Sequence, residues 1–573
     1  LVGDAEAWAL ATCLGLAACS PPLRLKALTQ LTFRNDAPRK LWGFLAASPE
    51  RVTYSLSAYF SGGRLTSDVA LACVAAALLR HSLLVADDDD VLQGRPLQPF
   101  MLRKVLQLYK PAAFSYCWSS TGKDAVRDEL FAWVVTLLRD LHARHCRRPL
   151  CKPSGWLVDE AQDAHAEIAQ RHSQRSKRLM ARMPFCVSFR HRADAFSLHC
   201  SDNARPSASE ATRVRVRRCR ILDDGLAQVA ALTPLQLQGR LSVQFVDDFG
   251  RTEAGIDAGG LFKEFWTELS KRAFDEAFGL FRTTKHDGLL YPNPDASTAH
   301  GERESLELFR FVGRVLGKAL REGLTVQPRF SRSFLSFLTG DFNYVTLLED
   351  LRSLDPELHK NLRFLQLYDG DAADLGLDFT ITYERFGETV TQDLRYNGSQ
   401  IDVTNSNKHA YIQAVARFHM VDRLKAPSEA FVGGLADAVD VSLLRVFAAP
   451  ELQVLISGAD AAIDVDDLRK FTRYENCRSN DSTVTRFWAV FRKLSPSDRA
   501  ALLKFVTACE RGPSLGFGAL EPPFTIRKIP DSDKLPSAST CFNTLKLPSY
   551  SSEKVLRERL LTSIHSGAGF DLS

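Results

Sequence analysis

The apolar pattern changes character at one short polar break, and this change constrains the fold more than any single motif. Before SDNARPSASEA (201–211), the segments AWALATCLGLAAC, DVALACVAAALLRHSLLV and ELFAWVVTLLRDLHAR repeat apolar residues near a 3.6-residue period, between Pro and Gly clusters. That pattern predicts stacked helices over roughly residues 1–183, with no fixed repeat period. After the break, VRVRRCRIL and LSVQFVDDFG alternate as strands do. Helical segments then return. LFKEFWTELSKRAF places Leu261, Phe262, Phe265, Trp266 and Leu269 on one face, and ESLELFRFVGRVLGKAL does the same with Leu306, Phe309, Val312, Leu316 and Ala319. LDFTITYERFG reads as a strand and turn. Helices are expected over 410–420 and 441–446, in TRFWAVFRKL and RAALLKFVTACE, and in the last segment EKVLRERLLTSI, whose buried face would carry Val555, Leu556, Leu560 and Ile564. PFTIRKIP is a strand. The class is α+β behind an all-helical front.

At 573 residues the chain is too long for one core, and a count of about three to four domains follows. Hydrophobic content of 45% with 25% charge excludes a largely disordered chain, and a net charge of +5 gives no argument for nucleic acid or an anionic membrane. The chain opens at Leu1 without a Met, which reads as a piece of something longer. The apolar run at 7–18 is too short to span a bilayer and follows Asp4 and Glu6, so a buried helix is expected there; no later window is expected to be long and uncharged enough to cross. The DDDD at 87–90 lacks the ligand alternation of a calcium loop and reads as a solvated turn, and the basic stretch at 172–182 as a solvated helix face.

Twelve cysteines form no CxxC pair. The densest cluster, His142, His145, Cys146 and Cys151 in HARHCRRPLC, has no second half for a structural zinc site, so it reads as a basic surface turn and no metal or cofactor is expected. Mostly reduced cysteines fit a cytoplasmic or nuclear location. One thiol stands apart. In LPSASTCFNTLKLPSY (535–550), Cys541 sits among small hydroxyl residues between two Leu-Pro pairs, which suits a thiol displayed on a loop between a strand and a helix. No protease signature surrounds it, and His409, His419 and His565 give no evident base. Taken alone, those residues leave a buried filler and a nucleophile both open.

That segment closely resembles the active-site segment of HECT-type ubiquitin ligases. GIDAGGLFKEF (255–265), RTTKHDGLLYPNP (282–294), FVGRVLGKAL (311–320), VTNSNKHAYI (403–412), PELQVLISG (450–458), LLKFVTACERGP (502–513) and the tail GFDLS resemble the same family in the same order. The resemblance covers about two thirds of the chain, from Met183 onward. MPFCVSFRHR and the helices before it are most similar to the branch whose fuller members carry a calmodulin-binding motif near their start; no such motif is seen here.

The resemblance implies a bilobal catalytic domain: a helical scaffold region at 1–182, a connecting segment at 183–213, a mainly helical N-lobe at 214–474 and a smaller α/β C-lobe at 475–573, hinged at the polar TRYENCRSNDST (472–483). It implies that Cys541 accepts ubiquitin from a conjugating (E2) enzyme as a thioester and passes it to lysines of protein substrates, in polyubiquitination leading to protein catabolism. Leu358, Leu362, Tyr368, Leu375 and Leu377 would line the E2-binding groove. Phe570 would help position transfer, and Asp571 beside it is a weaker candidate to take up the lysine's proton. Partners would be the charged E2, ubiquitin and substrates, with neither nucleic acid nor membrane. One departure stands out: many members carry histidine two residues before the cysteine, where this chain has Ser539. An inert scaffold and a thiol hydrolase are the competing readings.

Overall fold

The computed structural model describes all residues except 1, 33–36, 120–123, 164, 171–172, 203–210, 248, 253–259, 341–346, 386–387, 459–462, 508, 514–515, 521, 531–533 and 567–573. Its buried apolar side chains gather into three cores. The first runs from Ala9 to Ile456 and takes in both the front helices and much of the chain after Thr212. The second holds Leu468 to Leu560, and the third Leu347 to Val421.

Within the first core the helix Glu302–Arg321 lies against the helix Lys425–Ala438 at unusually short range. The reason is glycine. A Cβ on Gly313 would stand 2.0 Å from the Phe431 carbonyl oxygen, and one on Gly434 would stand 1.8 Å from that of Arg310. Arg310 and Arg314 then close the seam on Asp437, with Arg314 also donating to the Val229, Ala230 and Leu232 carbonyls at 2.7–3.2 Å. The sequence reading assigns no element to Lys425–Ala438. Gly433 and Gly434 weaken its helical signal, and only the facing helix shows why Gly434 must be small. The 441–446 segment forms as a 3-10 helix.

The front helices join this core rather than standing beside it. Arg192, on the helix Phe189–Asp202, donates to the Val446 carbonyl at 2.6 Å and forms a two-pronged pair with Glu451, while Phe189 and Phe196 meet the Phe447 ring at 5.9 and 6.3 Å.

Three expectations for this region are corrected. The stretch Ser67–Leu84 is, by length and composition, apolar enough to cross a membrane, with mean hydropathy 1.4. It is mostly buried in the protein, and its two charges are paired, Asp68 with Arg51 and Arg80 with Asp140. The acidic 87–90 run is a helix start, not a solvated turn. Asp87 and Asp90 form a capping box for the helix Asp88–Leu92, and buried Asp88 pairs with Arg144 and Arg147. Burial pushes the Asp88 carboxyl up, and those guanidinia outweigh it and hold it below the usual carboxylate range. HARHC is the half-buried end of the helix Ala125–His145 rather than a surface turn, because His142 stacks on Phe185 at 5.1 Å and meets Trp156 edge-on at 4.8 Å. Among the described residues, no group of three or more His, Cys, Asp or Glu could hold a metal ion.

The third core is built on the helices Leu347–Leu354, Pro356–Leu367 and Lys408–Met420 with the hairpin Thr380–Arg385/Glu388–Asp393. The second core packs the helices Val465–Phe471, Ser482–Lys493, Pro496–Thr507 and Glu553–Ser566 around a four-stranded sheet. Its strand order is Arg473–Glu475, Thr525–Ile529, Thr544–Pro548, Ser537–Ser539; the first three run parallel and the last antiparallel. The first part of the expected hinge is thus an edge strand, followed by a polar turn in which Asn476 takes φ 57°.

Candidate active site

Cys541 lies at the tip of a hairpin. The strands Ser537–Ser539 and Thr544–Pro548 pair Ser539 with Thr544 and Ala538 with Leu545. Alternation fixes their register: Ala538, Leu545 and Leu547 point into the second core, so a one-residue slip would expose them. The turn between them is a 3-10 step, Thr540–Phe542, closed by Asn543. Asn543 takes the left-handed conformation at φ 46°, which asparagine tolerates better than most L-residues, and its N–H donates to the Thr540 carbonyl at 3.3 Å. The cysteine therefore joins two strands, where a strand-to-helix loop was expected. The reason is that TLKLP continues the sheet before the last helix starts, where the Ser552 hydroxyl accepts from Val555 N–H at 3.3 Å. Of Cys541 the structure describes the backbone. Phe542 beside it is 51% exposed, and Asn543 is fully enclosed.

Asn543 makes contacts on both sides. Its Nδ2 donates to the Pro522 carbonyl and its own carbonyl accepts from Thr525 N–H at 2.9 Å, which ties the turn to the second core. Its Oδ1 accepts from Lys263 Nζ at 3.0 Å, on the helix Gly260–Ala273 of the first core. Among the described residues, two further pairs cross between these cores: Thr325 Oγ1 donates to Cys509 Sγ at 3.2 Å, and Arg511 Nη1 to Ser457 Oγ at 3.0 Å. Sequence reasoning missed Lys263. It sits inside the quoted GIDAGGLFKEF motif, but nothing local marks which core it would meet. Ser539 is a strand residue, and His565 bonds Asp498 at 2.9 Å.

The five groove candidates fall in the third core. Leu362 is buried, Leu358, Leu375 and Leu377 are half-buried against the core, and Tyr368 is half-buried with its ring 5.5 Å from that of Phe364. Lys408 Nζ holds the Tyr368 carbonyl at 2.8 Å, and Gly370 lies so near the Tyr368 ring that a Cβ would come within 2.7 Å. Two residues not singled out from the sequence are the exposed ones: Phe364 at 60% and Leu367 at 66%. Their spacing with Tyr368, at i, i+3 and i+4, is the signal that could have found them. On the same helix Arg363 pairs with Asp87 of the front region. Phe570 and Asp571 lie outside the described residues.

A cysteine at a hairpin tip on a small core of its own, set against a larger helical body, is the arrangement of a HECT domain. The family model described as "HECT-domain (ubiquitin-transferase)" matches residues 267–573, and the chain belongs to that family. Among its relatives, the human Ubiquitin-protein ligase E3B is 34% identical over 600 residues, covering 96% of this chain and 55% of the relative. E3 ubiquitin-protein ligase UPL6 of Arabidopsis thaliana is 32% identical over 580 residues, 95% of this chain and 56% of the relative. A probable E3 ubiquitin protein ligase of Schizosaccharomyces pombe is 42% identical over 361 residues, 62% of this chain and 34% of the relative. The chain thus spans about half the length of the first two relatives, and that match includes the front helices.

Proposed function

We propose that this chain is a ubiquitin transferase that takes ubiquitin from a charged E2 enzyme onto Cys541 and passes it to protein lysines. The hairpin-tip position of Cys541 in a family member carries the reading. In the first step the Cys541 thiolate attacks the thioester carbonyl carbon of the E2-bound ubiquitin; the new C–S bond forms and the E2 thiolate leaves. In the second, a lysine nitrogen attacks the same carbon, the C–N bond forms, Cys541 leaves as thiolate, and the ammonium proton passes to water or a nearby carboxylate. One thioester replaces another of similar energy, so placement of the two sulfurs supplies most of the acceleration of the first step. Such a reaction draws its driving force from the thioester it receives.

The parts take these roles. Residues 214–474 act as the N-lobe and 475–573 as the C-lobe, with motion between them at 472–483, behind a helical region at 1–182 and a connection at 183–213. The E2 docks on the third core at Leu358, Leu362, Tyr368, Leu375 and Leu377. Buried Leu362 shapes the groove from below, while half-buried Tyr368 offers the contact surface. Phe570 positions the transfer. Eleven described cysteines are free, which supports a reducing location, cytoplasm or nucleus.

The test is incubation with ubiquitin-charged E2. A reductant-sensitive ubiquitin adduct is expected, absent in Cys541→Ala. No adduct would leave an inert scaffold, and free ubiquitin released without lysine products would indicate a hydrolase.

A further inference from the structure

Lys263 holds the Cys541 turn on the first core, and we infer that this contact positions the turn for the second half of the reaction, transfer to lysine. The inference rests on the ubiquitin-transferase reading. It starts from where the turn lies. Loading needs Cys541 to meet an E2 enzyme held on the third core at the helix Pro356–Leu367. In this structure the turn is held elsewhere: Asn543, two residues past the cysteine, accepts from Lys263 Nζ at 3.0 Å on the helix Gly260–Ala273 of the first core. The other crossing pairs among the described residues, Thr325 with Cys509 and Arg511 with Ser457, also end on the first core's side rather than the third's. The docked arrangement thus suits the step after the E2 has left.

The chemistry of the contact fits a positioning role. An ammonium donating to an amide oxygen is charge-assisted and directional. Asn543 is enclosed, takes a left-handed backbone conformation and is anchored on its other side to Pro522 and Thr525, so it transmits a force on Oδ1 to the backbone of the turn without slack. Lys263 is half-buried on a helix whose Phe265, Trp266 and Leu269 are fully buried, so its own base is fixed. Opening this contact exchanges the hydrogen bond for bonds to water, so it can be released when the turn returns for reloading. Lys263 acts here through Asn543, as a positioning residue.

The test separates the half-reactions on the 573-residue chain. Labelled ubiquitin is loaded from a charged E2 in a single turnover. The adduct is then chased with an excess of a lysine-bearing peptide. Lys263→Met, which keeps length and helix propensity while removing the charge, is expected to load within about twofold of the parent chain and to discharge roughly five- to tenfold more slowly. Lys263→Arg, which can still donate to Asn543, is expected to restore discharge. Unchanged discharge in Lys263→Met overturns the inference. So does an equal loss of loading and discharge, which would mark a general structural defect, or a failure of Lys263→Arg to rescue. If the parent chain forms no adduct at all, the transferase reading itself fails, an outcome distinct from these.

Discussion

The seam inside the first core and the seam between the first and second cores are built from different contacts. The former brings the helices Glu302–Arg321 and Lys425–Ala438 to backbone contact through Gly313 and Gly434, then adds buried Arg314 and exposed Arg310 on Asp437. The front helices join it through Phe189, Phe196 and Arg192. The latter, as far as the described residues show, relies on polar bonds between three part-buried residue pairs: Lys263–Asn543, Thr325–Cys509 and Arg511–Ser457. Separating an apolar seam exposes its whole area to water at about 25 cal/mol per Å², whereas polar bonds exchange for bonds to water at about 1 kcal/mol each. The first seam is therefore the harder to open, and a cysteine that visits two partners, as proposed above, needs the second to part.

The sharpest way to break this contrast is Gly434→Ala. Its methyl would overlap the Arg310 carbonyl and force the helices apart, costing about 3 kcal/mol. Because the core is shared, hydrogen exchange should speed in the front helices as well as in 302–321 and 425–438, and should stay unchanged in the strands Thr525–Ile529 and Thr544–Pro548. Faster exchange confined to 302–321 and 425–438 would show that the front region is a separate unit.

A smaller effect is expected of Arg192→Met. It leaves Glu451 and the Val446 carbonyl without their buried partner. The loss should be about 2 kcal/mol in urea unfolding of the first core, less than for a fully enclosed pair because Glu451 keeps some access to water.

Acid should weaken the same core as well. Burial holds His142 down at about 4, against an ordinary value of 6.5. The unfolded chain therefore binds this proton at a higher pH than the folded one. The stabilisation is fully present above pH 6.5 and is lost as pH falls from 6.5 to about 4. His142→Phe should flatten a thermal-stability profile over that window. His419, held down to about 4 by burial in the third core, adds in the same direction.

Much of the fold was legible because its signals are local. Periodicity placed the helices Gly260–Ala273, Glu302–Arg321, Ser482–Lys493 and Glu553–Ser566, and alternation placed the strands Thr212–Arg217, Leu241–Val246 and Thr525–Ile529. Misreadings arose where a distant partner decides. The acidic 87–90 run looked solvated because Arg144, Arg147 and Arg363 are far away in sequence. Phe364 and Leu367 were passed over because helical spacing alone does not say which face of an apolar helix the third core leaves uncovered.

For this protein, the order of residues fixed most of the element types, the family and the candidate thiol, because backbone preferences and motif identity are properties of neighbours along the chain. Which side chains share a core, that the front helices merge with the body behind them, and that Lys263 meets the residue two past Cys541 were decided only in three dimensions. Those contacts join groups up to hundreds of residues apart, and no local preference encodes them.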